Sequence, residues 1–128
     1  MNWLGTFGIV VLSYMGADGS AAQNPSNREV RSQVAAVSFD FMAASARNPC
    51  DTNSIEARRF RSKNSVRWER IRAALQEQYG DDMAQDLGVV IPEACLDQRA
   101  TTLSERRKIY EADIQALEKT LGIAGKRP

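Results

Sequence analysis

The chain contains no histidine among its 128 residues. Histidine is the commonest general base and the commonest protein ligand for metal ions. The sequence also lacks the GxSxG, SxxK, GxGxxG and P-loop motifs that position nucleophiles or phosphate groups. We therefore expect no metal ion and no cofactor, and any catalysis would have to depend on carboxylates.

Long apolar runs are scarce as well, and the only candidate lies at the N-terminus. Residues 3–15 are mostly apolar, and residues 16–22 are small or polar, which is the layout of a secretory signal. As a helix, the apolar stretch would span about 20 Å, against a hydrocarbon core of about 30 Å. We predict a signal peptide over residues 1–22, cleaved after Ala21 or Ala22. A retained membrane anchor and a buried first helix of a cytosolic domain are the alternatives, because no lysine or arginine precedes the apolar stretch.

Cysteine is limited to two residues, Cys50 and Cys95. In an exported chain an even cysteine count indicates a disulfide, and two cysteines leave one possible pairing. Closing a loop of about 46 residues would stabilise the fold by roughly 4 kcal/mol in the chain-entropy model. In a cytosolic protein the same residues would be two buried thiols. The prediction of a disulfide therefore depends on the prediction of export.

The remaining sequence shows helical periodicity and no strand-like alternation of useful length. Capping-box spacing occurs at Ser26 and Glu29 and again at Thr102 and Glu105. The first long helix is predicted from Asn27 to Arg47, ended by Asn48-Pro49. The second is predicted to have about 25 residues, to end at Gly80, and to tolerate a kink or break near Asn64. The last is predicted to end at Gly122.

Shorter helices are expected between the second and last long helices. Asp81 could cap a short helix that stops at Gly88, and Pro92 suits the first position of another helix. Whether the segment 92–121 forms one helix or two stays open. The fold class is thus predicted as all-α, a small antiparallel bundle of three main helices plus one or two short ones. The predicted organisation is a signal at 1–22, a polar linker at 23–27, the helical domain at 28–122 and a basic tail at 123–128.

Charge is segregated along the chain although the net charge is only +1. Basic residues dominate from Arg58 to Arg72, and acidic residues dominate from Glu77 to Asp97. Four cations on the second helix fall within about 80° of one another at 100° per residue. They are Arg59, Lys63, Arg67 and Arg70. This basic stripe could bind an acidic protein or an anionic envelope component, or it could be a solvated face paired with the acidic segment.

Three functional hypotheses follow from these observations. The favoured one is an exported helical binding protein, such as an inhibitor, adaptor or accessory subunit, that acts through protein or envelope contacts and uses the basic stripe. The second is a carboxylate-based enzyme that uses Asp81, Asp82 and Asp86, although helix capping by Asp81 and the position of Asp82 in the first turn favour a structural role for these residues. The third is a cytosolic nucleic-acid-binding module, which the near-neutral net charge disfavours. We therefore expect neither catalysis nor a nucleic-acid partner.

Overall fold

The computed structural model describes residues 26–89, 92–96 and 102–124, and within these ranges every regular element is an α-helix. The predicted all-α class with three main helices is confirmed. The predictions for the signal or anchor at 1–22, for residues 23–25 of the linker and for residues 125–128 of the tail lie outside the described residues. The helices are α1 (Asn27–Ala43), α2 (Ile55–Tyr79), α3 (Asp81–Asp86), α4 (Glu93–Leu96) and α5 (Leu103–Leu121).

The three long helices begin at local capping groups, and α5 also ends at one. Both predicted capping boxes form, since Ser26 Oγ accepts from the Glu29 amide at 3.2 Å and Thr102 Oγ1 accepts from the Glu105 amide at 3.1 Å. Ser54 caps α2 in the same way. At the end of α5, Gly122 adopts a left-handed conformation with φ of 78°, which terminates the helix as predicted.

The predicted end of α1 at Arg47 is wrong, because the helix stops at Ala43. Two side chains of α5 take up the carbonyls that a longer helix would have bonded internally. Arg106 donates to the carbonyls of Ala43, Ala46 and Arg47 at 2.7, 3.0 and 3.2 Å. Arg107 donates to the carbonyls of residues 44 and 45 at 2.9 and 3.3 Å. The chain therefore leaves the helix after Ala43 while the carbonyls of residues 43–47 keep hydrogen-bond partners.

Helix α2 runs through Asn64 without the suspected break. Both ends of the buried Asn64 amide are hydrogen-bonded: Nδ2 donates to the Phe60 carbonyl at 2.9 Å, and Oδ1 accepts from the Tyr110 hydroxyl at 2.8 Å. The same hydroxyl accepts from Trp68 Nε1 at 2.9 Å. Tyr110 of α5 thus supplies a hydrogen-bond partner for a polar residue on the apolar stripe of α2, and α2 stays helical at this position.

Two details of the short helices differ from the prediction. Asp81 does not cap α3, because Gly80 occupies the N-cap position and Asp81 instead accepts a hydrogen bond from Gln76 Nε2 at 2.7 Å. Pro92 precedes α4 and is not its first residue. Helix α5 has its own N-cap at Thr102, with ψ of 161°, so α4 and α5 are separate helices.

The disulfide Cys50–Cys95 is present, as predicted, and joins the loop before α2 to α4. The Cα atoms are 5.0 Å apart. A disulfide of this kind indicates a non-reducing compartment. Among the described helices, none combines the length and apolar character needed to cross a bilayer.

The long helices pack around one core. α5 runs beside α2 in the same direction, since Phe60 packs on Tyr110 near their starts and Gln78 donates to the Leu121 carbonyl near their ends. The predicted antiparallel arrangement is therefore wrong for this pair of helices. α1 runs in the opposite direction, because its C-terminal end meets the first turns of α5. The core members shared by these helices include Val30, Val34, Val37, Phe60, Trp68, Ile71, Leu75, Tyr110, Ile114, Leu117 and Leu121.

Candidate functional site

The four cations of the predicted basic stripe do not stay together on the surface. Arg67 turns toward α5, where it donates to Glu111 at 2.9 Å and to Glu118 at 2.8 Å. Its side chain is 24% exposed and that of Glu118 is 10% exposed. The hydrogen bonds that Arg67 donates to Glu118, together with those to Glu111, raise the pKa of Arg67 against the opposing effect of burial. Arg67 is therefore a partly buried cation that links α2 to α5.

Arg70 is also used within the fold. Its Nη2 donates to the carbonyl of Ile123 at 3.3 Å, just beyond the end of α5. The ion-pair partners of Arg67 lie on α5 and not in the acidic segment 77–97 that was considered as an alternative. Two of the four cations of the predicted stripe, Arg67 and Arg70, thus form hydrogen bonds that hold α2 against α5 and the residues just after it.

Arg59 and Lys63 remain exposed on the first half of α2. Neither makes a hydrogen bond or an ion pair with any residue that the structure describes. Ile55 and Val66, which are 60% and 53% exposed, lie within about 80° of them around the helix axis. We refer to Ile55, Arg59, Lys63 and Val66 as the outer face of α2.

Acidic residues near this outer face are already engaged. The Glu56 carboxylate accepts from the Arg47 amide at 2.8 Å and pairs with the Arg47 side chain at 3.7 Å. Farther along α2, Glu69 pairs with Arg72 at 3.0 Å. The outer face therefore presents positive charge beside two exposed aliphatic side chains.

A second basic feature, which the sequence reasoning missed, lies at the start of α5. An open cavity of about 480 Å³ occurs there, and we name it the α5 groove. Its lining residues are Leu103, Ser104, Arg107, Lys108 and Glu111. In the sequence, this feature is indicated only by the run of three basic residues from Arg106 to Lys108. The sequence does not show which of the three side chains are exposed and which are buried.

Arg107 is held in a fixed position beside this groove. Its guanidinium lies 4.6 Å from the centre of the Phe60 ring and donates to the Ala44 carbonyl at 2.9 Å. Lys108, the next residue, is exposed. The groove therefore combines one anchored cation with one solvent-facing cation.

The three aspartates of the enzyme hypothesis have separate neighbours. Asp86 pairs with Arg31 of α1, and Asp81 accepts from Gln76. Asp82 is exposed in the first turn of α3. Within the described ranges, no group of three or more histidine, cysteine, aspartate or glutamate side chains is arranged to hold a metal ion.

A carboxyl pair that the sequence did not reveal lies between α1 and α5. Burial raises the pKa of Asp40 to about 8, and the hydrogen bond and the negative charge of Asp113 add to this effect. Asp40 Oδ2 is buried and has no hydrogen-bond partner among the described residues. Asp40 lies at the edge of the apolar stripe of α1, where a solvated carboxylate would be the ordinary expectation.

Comparison of the chain with protein-family models, with curated proteins and with solved structures gave no match. Functional inference therefore depends on the chemistry of these surfaces.

Proposed function

We propose that the chain is an exported helical binding protein, an inhibitor, adaptor or accessory subunit, and that it binds an acidic protein surface through the outer face of α2. The observation that carries this proposal is the pairing of two exposed, unengaged cations, Arg59 and Lys63, with exposed Ile55 and Val66. Aliphatic contact area bordered by charge is typical of a protein interface, and complementary charge steers association.

A protein partner fits this face better than a nucleic acid does. Single-stranded nucleic acids are usually bound by exposed aromatic platforms. Here Phe41, Phe60, Trp68 and Tyr110 pack against one another, with ring centres 4.3 to 5.6 Å apart. The net charge of +1 also gives little of the long-range attraction on which DNA-binding proteins depend.

Export is supported by two independent features. The disulfide indicates a non-reducing compartment, and the apolar opening followed by small residues has the layout of a cleavable signal. The partner would then be another exported protein or a domain exposed at the cell envelope.

The proposal is tested with an affinity-tagged chain produced in its native host. Partners are quantified by mass spectrometry for the wild type, for Arg59→Glu and for Arg58→Glu, which alters another exposed arginine about 100° away around the same helix. We expect a partner that is lost with Arg59→Glu and retained with Arg58→Glu. Replacing acidic residues of that partner by lysine should restore binding to Arg59→Glu.

Two results would contradict the proposal. One is a set of partners that does not change with Arg59→Glu. The other is binding to anionic lipid vesicles at the same face without any protein partner, which would make the face a membrane contact.

A further inference from the structure

We infer that the α5 groove binds an acidic segment of the partner protein, with an aliphatic side chain of that segment placed against Leu103. This inference rests on the proposed function and extends it, because it names the chemistry of the partner. It also moves part of the binding site from α2, where the sequence pattern placed it, to α5.

The charges around the groove favour an acidic occupant. Arg107 and Lys108 line it, while the one acidic lining residue, Glu111, is already bound by Arg67 through two hydrogen bonds of 2.9 Å. Glu105, one turn before Lys108 on α5, is also engaged, since its carboxylate accepts from the Thr102 amide at 3.0 Å. The lining of the groove itself therefore carries two cations against one carboxylate, and Lys108 is the exposed cation that an incoming carboxylate can meet.

Lys63 joins the groove to the outer face of α2. On α2 it lies one turn after Phe60, which is covered by Arg107, and one turn before Arg67, which binds Glu111. Residues three or four positions apart share one side of a helix. Lys63 thus stands on the side of α2 that borders the groove, and one extended acidic segment could contact it and Lys108 together.

The groove is also prepared for binding before a partner arrives. The contacts of Arg107 with the Ala44 carbonyl and the Phe60 ring hold its side chain in place. A cation that is already ordered loses less conformational freedom on binding than a mobile one. Leu103 is half-buried and supplies apolar surface within a cavity of about 480 Å³, enough for an aliphatic side chain.

The test is an NMR titration of the isotope-labelled, disulfide-bonded protein with a synthetic Glu-Glu-Leu-Glu-Glu peptide. We expect amide shifts concentrated at Lys63, Ser104, Arg107 and Lys108. A Lys-Lys-Leu-Lys-Lys peptide should give none at these positions. A Glu-Glu-Ala-Glu-Glu peptide should bind more weakly, because it cannot fill the space beside Leu103.

Lys108→Glu should raise the dissociation constant of the acidic peptide at least about fivefold, since it replaces an attraction by a repulsion. Lys119→Glu alters an exposed lysine three turns away on the same helix and should change the constant less than about twofold. An unchanged constant with Lys108→Glu would overturn the inference. Equal binding of the basic peptide, or shifts produced by phosphatidylglycerol vesicles and not by the peptide, would overturn it too.

The two proposals fail separately. If Lys108→Glu weakens the acidic peptide while native partners ignore Arg59→Glu, the groove is an acidic-peptide site and the outer face of α2 is not an interface. If native partners depend on Arg59 and the peptide ignores Lys108→Glu, the proposed function stands and the groove inference is wrong.

Discussion

Arg67 shows how a side chain that the sequence pattern assigns to a charged surface can be partly buried and ion-paired in the fold. Its periodicity places it with Arg59 and Lys63, but it lies closest to the apolar stripe of α2. From that position it reaches two carboxylates of α5. The sequence could indicate the stripe, but not which of its members would find partners some 44 to 51 residues away.

Arg67→Leu should lower the free energy of unfolding by about 2 to 4 kcal/mol, because the mostly buried Glu118 carboxylate would lose its counter-charge. Arg72→Leu is the matched control, since Arg72 pairs with an exposed glutamate within α2 and should matter by less than about 1 kcal/mol. Urea unfolding followed by tryptophan fluorescence measures both. Equal losses in the two variants would show that Arg67 is an ordinary surface residue.

Asp40 gives the protein a pH dependence of defined sign. Its pKa is raised from 3.8 to about 8 in the fold, chiefly by burial. Between these two values the folded protein keeps a proton that the unfolded chain releases, so stability should fall as the pH rises from about 4 to about 8 and level off above that.

Asp40→Asn should remove this contribution to the slope, because the amide cannot ionise. The measurement is the unfolding free energy in urea at intervals across the same pH range. Asp82→Asn, at an exposed position on α3, should leave the slope in place. A slope that is the same in Asp40→Asn and the wild type would contradict this account of the Asp40–Asp113 pair.

At the scale of helices, the residues that determine where a helix begins or ends lie at very different distances along the sequence. Both capping boxes and the Gly122 stop depend on residues within a few positions, and the sequence predicts them correctly. The end of α1 depends on Arg106 and Arg107, about 60 residues later in the chain. The continuity of α2 at Asn64 likewise depends on the hydroxyl of Tyr110. Local signals could not reveal either outcome.

Arg106→Met should therefore destabilise the fold by about 2 kcal/mol or more, because the carbonyls of residues 43 and 46, which are buried, and that of residue 47, which is part-buried, would lose a charged donor. Lys108→Met, two positions later and exposed, should change stability by less than about 0.5 kcal/mol. Hydrogen exchange should locate the loss at the end of α1. Unchanged protection there would mean that the arginine is not what holds this turn.

At the scale of the whole molecule, the disulfide indicates that this small helical bundle folds in a non-reducing compartment. Protein recovered from the native host should have an intact mass that corresponds to a chain without the residues up to Ala21 or Ala22. This mass should be two hydrogens below that of the same chain with both cysteines reduced, because of the Cys50–Cys95 bond. Mass spectrometry before and after reduction measures both features. Full-length protein with two reduced thiols would contradict the export proposal.

If the outer face of α2 is an interface for an acidic protein, a photoreactive side chain placed on that face should cross-link to the partner. The photoreactive residue benzoylphenylalanine replaces Val66 in the native host, and the adducts are mapped by mass spectrometry. We expect adducts to an acidic region of one exported protein, and we expect them to be lost when Arg59→Glu is added. Adducts that map to neutral or basic regions, or that persist unchanged with Arg59→Glu, would contradict the proposal.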